Sequence, residues 1–231
     1  MPRIPIRDAE RPRALAQLRY ATDRASYGGL DLAQKFERIH RTNLWGAETS
    51  VSGLGSEDAA TATLRSELPL LLCKLGAQSL LDAPCGDGGW IGRIDLDVAY
   101  TGIDIVPELI AAMQTRAVRG RRYILADLTH DTLPKADVIL CRDCLVHFSY
   151  ETIGRAVASF RASGAQWLIT TTFTDLENNH DCEDADWRPL NFERPPFLWG
   201  PPQHLLVENC TEDGGLWADK SLGAWRISTL P

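Results

Sequence analysis

The chain has 231 residues, 44% of them hydrophobic and 24% charged, which suits one globular α/β domain with elaborations and excludes a disordered or fibrous protein. Its net charge of −7 argues against a general nucleic-acid binder, which needs a basic footprint. No apolar run is long enough to span a bilayer, no signal peptide is evident, and the six cysteines lie scattered, several in apolar runs, so a cytoplasmic, reduced protein away from membranes is expected.

Residues 1–25 are rich in Arg and Pro with little apolar periodicity, and read as a frayed or surface-lying arm; the competing reading is an arm that closes over a site. Asp31 to Thr42 is predicted helical, with Leu32, Phe36 and Ile39 on one face. From Asn43 to Ser56, Ser, Thr and Gly dominate, so this is a loop, either a cover over a polar ligand or a linker ending in a helix cap. A second helix is expected from Glu57 to Leu75, with Pro69 inside it as a potential kink and Gly76 as its stop.

Ser79 to Ala83 then reads as a short buried strand that carries Asp82 and runs into Gly86, Gly88 and Gly89. Trp90, Ile91 and Ile94 have the spacing of a helix face. Strand, glycine turn and helix start together form the first half of a nucleotide-binding βαβ unit, in which glycine admits a close ligand and the helix N-terminus offers free N–H groups.

Ala99 to Ile105 is a second strand carrying Asp104 at its end, followed by a helix from Pro107 to Val118 that Gly120 stops. Arg121 to Ala126 is a third strand, leading into Asp127 and Leu128. Ala136 to Cys141 is a fourth, with the tip Arg142-Asp143-Cys144-Leu145-Val146-His147. Tyr150 to Ala162 is helical and Gln166 to Thr172 a fifth strand. This alternation predicts an α/β fold: a doubly wound, mostly parallel, Rossmann-like sheet with an N-terminal helical cap. Ligands of such sheets bind at the carboxyl ends of the strands, where Asp82, Asp104, Asp127 and Asp143 all fall. Residues 173–203, irregular, acidic, and rich in proline and aromatics, are expected to form a lid inserted after strand five. Leu205 to Cys210 and Leu222 to Ser228 close the sheet, expected antiparallel.

These motifs resemble those of the class I S-adenosylmethionine-dependent methyltransferases. The resemblance covers residues 57–172 and, more loosely, the closing strands, so the chain divides into an arm and cap at 1–56 and a methyltransferase domain at 57–231. The family's acid-x-Gly-x-Gly-x-Gly turn is matched by Asp82-Ala83-Pro84-Cys85-Gly86-Asp87-Gly88, with Pro84 in place of the first glycine. Its ribose-binding acid maps onto Asp104, its adenine-side acid onto Asp127 beside Leu128, and its fourth motif onto residues 139–147. Across its whole length the chain looks like a bacterial branch carrying Asn-x-Trp-Gly, Ser-x-Ser-Gly-x-Gly-Ser and Asp-x-Pro-Cys-Gly-Asp. The resemblance implies S-adenosylmethionine as cofactor, held by Asp82, Ala83, Pro84, Gly86, Asp104, Ile105, Asp127, Leu128 and Arg142. It implies methyl transfer to an O or N atom, with a small molecule as the expected acceptor. A peptide or protein acceptor, or a silent adenosylmethionine-binding fold, is the alternative. A nicotinamide-dependent oxidoreductase is the rival within the fold. Against it, Asp82 would place negative charge beside a pyrophosphate, whereas a carboxylate-lined cleft suits an ammonium and a sulfonium.

Asp143 and His147 are the acid–base candidates near the transferred methyl, and either can take a proton; His147 also has a structural reading. Arg142 is read also as a structural ion pair or a partner for an anionic acceptor. Trp187, Phe192, Phe197 and Trp199 point to an acceptor with an apolar face, or else anchor the lid. The Cys141–Cys144 pair and His180 with its neighbouring acids are weighed as metal ligands, but core thiols and a solvated acidic loop are the expectation, and no metal is assigned.

Overall fold

The computed structural model describes residues 5–116 and 120–231. Its centre is an open sheet of seven strands in the order β3-β2-β1-β4-β5-β7-β6. The strands are β1 Ser79–Asp82, β2 Ala99–Asp104, β3 Arg121–Leu125, β4 Val138–Cys141, β5 Trp167–Phe173, β6 His204–Val207 and β7 Lys220–Arg226. β1 pairs in parallel with β2 and with β4, so the strand order reverses at β1, the crevice where open α/β sheets bind ligands. β7 runs antiparallel to both β5 and β6, as expected of the closing strands.

Alternation along each strand divides the core in two. Leu81, Ile139 and Leu168 point to one face, where Ile153, Ala156 and Phe160 of helix α5 (Tyr150–Ala162) cover them. Leu80, Leu140 and Ile169 point to the other, under Leu64, Leu68 and Leu72 of α3 (Ala62–Lys74) and Ile110 and Met113 of α4 (Pro107–Arg116). Period 2 on the strands and a leucine stripe on the helix thus bury both faces of a parallel sheet, as its topology demands. α3 starts at Ala62 rather than Glu57 and continues through Pro69. Gly76, at φ +67°, turns the chain out of it. The last positions expected in the following helix, 117 and 118, lie outside the described residues, as do residues 1–4 of the arm.

Two segments differ from expectation. The helix anticipated after the glycine turn is one 3-10 turn, Ile91–Arg93. Gly88, Gly89 and Gly92 are poor helix formers, and only four residues separate Ile94 from β2, so no α-helix fits. The arm is neither frayed nor loosely laid on the surface. It forms α1 (Leu15–Asp23), a 3-10 turn at Arg24–Tyr27, and then α2 (Leu32–Thr42), capped by the Asp31 side chain on the Gln34 amide. Tyr20, Tyr27, Ile39 and Leu44 bury a small core of their own with Ala185. Arg11 docks the arm on the sheet through a bidentate pair with Asp219, at 3.0 and 2.6 Å, both side chains almost fully buried.

Candidate active site

The glycine turn leaves β1 at Asp82, a buried carboxylate that accepts a 2.6 Å hydrogen bond from the Tyr100 hydroxyl. Asp104, at the end of β2, accepts the Gly86 amide at 3.0 Å and the Val106 amide at 2.9 Å. These bonds hold the turn against β2 and leave lone pairs on both oxygens. Burial pushes Asp82 up to about 7, against the Tyr100 hydrogen bond, and Asp104 up to about 6, against its amide bonds. Neither has a cation within ion-pair distance among the described residues.

Gly86 has φ +55°, and a Cβ there would collide with the Ser52 hydroxyl. Its freedom therefore admits a neighbouring protein segment, the 43–56 loop. That loop is pinned to the turn, with the Ser52 hydroxyl accepting the Asp87 amide at 2.9 Å and Ser50 donating to the Asp87 carboxylate at 2.7 Å. These contacts pack the loop on the glycine turn.

The strand tips open on a cavity of about 990 Å³. Asp82, Pro84, Gly86, Asp104, Ile105, Asp127, Leu128 and Arg142 all line it, as do Asp143 and His147. Ala83 does not; its side chain is buried in the core behind the turn. Asp127 is tied into its own turn through the Thr129 amide and hydroxyl, both at 2.7 Å on one oxygen. The cavity also holds Phe36, His40, Trp45 and Trp90, which sequence reasoning did not place there. His40 Nδ1 and Trp45 Nε1 are buried without a hydrogen-bond partner. They came from helix and loop positions whose local pattern carries no ligand signal.

Asp143 and His147 follow β4 in a tight turn rather than a regular helix. Asp143 has φ +49°, and Leu145–His147 is a 3-10 turn. Asp143 is reached by Lys220 at 2.6 Å and by Arg142 at 3.3 Å. Burial opposes ionisation of Asp143, but the two cations outweigh it and hold the carboxyl well below the usual carboxylate range. Arg142 also pairs with buried Glu208 at 2.7 Å and donates to the Gly55 carbonyl at 2.7 Å. Of the two readings of Arg142, the ion pair is the one its nitrogens make. Glu208 and Lys220 lie on or beside the closing strands, and nothing in their local sequence announces this link to β4.

His147 has its Nδ1 2.8 Å from the Asp186 carbonyl. A carbonyl only accepts, so Nδ1 carries the proton and Nε2 is left as an acceptor. The ring lies beside Trp45 at 4.8 Å between centroids. Burial lowers His147 to about 4, against the Asp186 bond and the Asp143 charge, so it is neutral at pH 7.

A second cavity, of about 630 Å³, meets the first at Trp45, Ser52, Asp143 and His147. Trp187, Trp217, Phe173, Glu212 and Lys220 line its far side, with residues 14–16 of the arm. Phe192, Phe197 and Trp199 lie elsewhere, packed with Trp225 on the outer face of the sheet. Only Trp187 of the four aromatics put forward for the acceptor reaches this cavity.

The 173–203 segment, expected as a lid, is bonded to the turn after β4, and within it Phe173 and Trp187 line the second cavity. Arg188 donates to the carbonyls of Leu145 and Phe148, and the Ala185 amide to the His147 carbonyl at 2.8 Å. Its acids are used structurally. Asp184 accepts from the Ser149 amide and Thr152 hydroxyl, and Asp181 from the Tyr150 amide, capping α5. Among the described residues no group of three or more His, Cys, Asp or Glu is placed to hold a metal ion, and no helix is long and apolar enough to cross a membrane.

No family model and no curated protein matches this sequence. Solved structures do. The 1,6-didemethyltoxoflavin-N1-methyltransferase of Burkholderia thailandensis, with 1,6-didemethyltoxoflavin and S-adenosylhomocysteine bound, aligns with a TM-score of 0.58 at 18% identity over 89% of each chain. The methyltransferase domain of bacterial CtHen1 aligns with a TM-score of 0.54 at 14% identity over 72% of this chain and 98% of that one. A Pyrococcus horikoshii protein matches at a TM-score of 0.41 and 19% identity over half of this chain, which spans 59% of that protein's length. The doubly wound sheet, the glycine turn after β1 and the acids at successive strand tips together give this chain the fold of the class I S-adenosylmethionine-dependent methyltransferases.

Proposed function

We propose that this chain is an S-adenosylmethionine-dependent methyltransferase that acts on a small molecule. The observation that carries this is the pair of buried carboxylates, Asp82 and Asp104, facing a cavity with no cation within ion-pair distance of either among the described residues. Burying a carboxylate without a cation is costly, and a cationic ligand with hydroxyl groups offsets that cost. The residues fit such a ligand: Asp82 would hold an ammonium, Asp104 the ribose hydroxyls, and Asp127 with Leu128 the adenine side. The unpartnered His40 and Trp45 nitrogens would serve as further polar contacts. Pro84, Gly86 and Ile105 shape the wall, and Arg142 fixes it through Glu208.

Adenosylmethionine would supply a methyl group already activated on a sulfonium, for in-line displacement by an acceptor nitrogen or oxygen. The protein's part is to align the acceptor and exclude water where the two cavities meet. His147, at that junction, offers Nε2 as proton acceptor. A base whose conjugate acid has a pKa near 4 is too weak to ionise an alcohol beforehand. It suffices for the strongly acidic proton left on a weakly basic nitrogen once that nitrogen has been methylated. Asp143, clamped by Lys220 and Arg142, is read as an electrostatic partner rather than a base. Small-molecule methylation is also what the Burkholderia thailandensis enzyme's name describes, and the second cavity beside the first supports the same reading here.

Calorimetry tests this. Adenosylhomocysteine should bind and NAD(P) should not. Because Asp82 and Asp104 titrate upward of the usual range, they are partly protonated between pH 5 and 7. A ligand ammonium favours the ionised form, so affinity should rise with pH from about 5 to about 8, with proton release on binding near pH 6.5. Nicotinamide binding with no response to adenosylhomocysteine would overturn the assignment.

A further inference from the structure

The second cavity has a chemistry of its own. Trp187 and Trp217 meet edge to face at 5.2 Å, and Phe173 stands edge-on to both at 6.0 and 5.7 Å. Trp45 stands on the side toward the first cavity. Flat rings lining a half-open cleft suit a flat ligand that meets them by stacked or edge contacts.

The polar groups lining the cavity are unequally distributed. Glu212 lines it partly buried, and its one hydrogen-bond contact is the weak Cys210 thiol at 3.6 Å. His147 adds a second acceptor, Nε2. The cation present, Lys220, is already committed to Asp143 at 2.6 Å and Glu208 at 3.7 Å. The Trp217 indole N–H is taken by Asp213 at 2.6 Å. Glu212 and His147 are therefore acceptors in want of donors, Trp45 Nε1 on the side toward the first cavity is an unpartnered donor, and no uncommitted cation among the described residues awaits a ligand carboxylate or phosphate. An ionised carboxylate can only accept, so its partner must bring an N–H or O–H, and one with positive charge is held best.

We propose that the second cavity binds a flat aromatic or heteroaromatic molecule carrying N–H groups, neutral or cationic, and that Glu212 selects it. This rests on the reading of the first cavity as the methyl-donor site for its place in the reaction, but the ligand class follows from the lining alone. The ligand meets the cavity-facing edges of Trp187 and Trp217 with an N–H on Glu212 and a ring edge at the Trp45–His147 junction. Anionic analogues are rejected by Glu212, while the Asp143 charge is matched by Lys220 and Arg142.

The test uses the full chain and three matched bicyclic probes. They are 2-aminobenzimidazole, which is donor-rich and carries no negative charge; quinoline, which has no N–H; and benzimidazole-2-carboxylate, which is anionic. Binding is followed by tryptophan fluorescence and equilibrium dialysis, with and without adenosylhomocysteine. 2-Aminobenzimidazole should bind at least tenfold tighter than either other probe. Glu212→Gln should remove about tenfold of that preference while leaving adenosylhomocysteine affinity as it was, and Trp187→Leu should weaken all three probes. Equal or tighter binding of the carboxylate, an unchanged ranking in Glu212→Gln, or no probe binding to a chain that binds adenosylhomocysteine would overturn the proposal. A chain that ranks the probes as expected but ignores adenosylhomocysteine would sink the methyl-donor reading and leave this one standing.

Discussion

Asp143 and His147 are four residues apart in sequence, carry opposite tendencies, and meet the same two cavities. Their environments separate their roles. Asp143 sits between two cations and stays ionised; His147 is buried against Trp45 and stays neutral. If His147 is the proton acceptor, His147→Asn should lower kcat on the order of 10²-fold with little change in cofactor affinity. The wild-type profile should hold to about pH 5 and fall with an acid limb near 4, where the imidazole gains its proton. The same depressed value bears on stability. Between the unfolded value near 6.5 and the folded one near 4 the unfolded chain binds more protons, so His147's contribution is lost as pH falls through that window. Asp143→Asn should instead cost stability, about 3 kcal/mol, by leaving buried Lys220 with the more distant Glu208, and should keep the acid limb, moved somewhat lower because the Asp143 charge raises His147. Rate measurements across pH beside urea melts of both variants check this; an Asp143→Asn enzyme that loses the limb would exchange the two roles. The strand-tip acids were legible because spacing alone puts them there. Glu208 and Lys220 were not, since their partners lie 66 and 77 residues away.

At the scale of elements, the 43–56 loop decides the site as much as the strands do. It crosses the glycine turn through Ser50 and Ser52 and reaches the β4 tip at Gly55, whose carbonyl accepts from Arg142. A Cβ on Gly55 would stand 2.7 Å from an Asp143 carboxylate oxygen and 3.0 Å from the Lys220 nitrogen. The Asp143–Lys220 contact leaves little room to yield, so Gly55→Ala should displace it and lower turnover about tenfold or more, with a stability loss of about 1–3 kcal/mol. Comparing turnover with adenosylhomocysteine affinity checks this; a variant with normal turnover would remove the loop from the site's architecture. The loop's composition pointed to a turn-rich segment equally well as cover or linker. What settles its place is a contact with the β1 turn more than 30 residues on, which composition does not encode. The acids of the 173–203 segment have a similar history. Asp181 and Asp184 look like a solvated cluster in sequence and are helix caps in space.

The whole molecule is closed by its first residues against its last. Arg11 and Asp219, 208 positions apart, form a bidentate pair whose side chains are 4% and 0% exposed. Asp219 also accepts the Asp175 amide, so one carboxylate joins the arm, the 173–203 segment and β7. Arg11 lies against the Phe173 and Trp217 rings, which line the second cavity, at 5.9 and 5.3 Å. Arg11→Ala leaves a buried carboxylate without its cation. It should cost about 3–5 kcal/mol in urea unfolding and shift tryptophan emission as the second cavity opens. A loss under about 1 kcal/mol would mean that the arm docks without this pair.

Sequence by itself determined the α/β class, the strand register of each face and the acids at the strand tips, because these follow from local periodicity and from spacing within one βαβ unit. The alternation Leu80, Leu81 and Ile139, Leu140 already contains the two-faced core. Tertiary structure alone decided which charges meet. Lys220 and Asp143, Arg142 and Glu208, Arg11 and Asp219 are brought together by the antiparallel return of β7 and β6 beside β5 and by the docking of the arm. It also decided that a second, aromatic cavity exists, since its walls come from five separate stretches of chain. Pairing energies between side chains so far apart in sequence are set by burial and distance, and neither quantity is present until the sheet has closed.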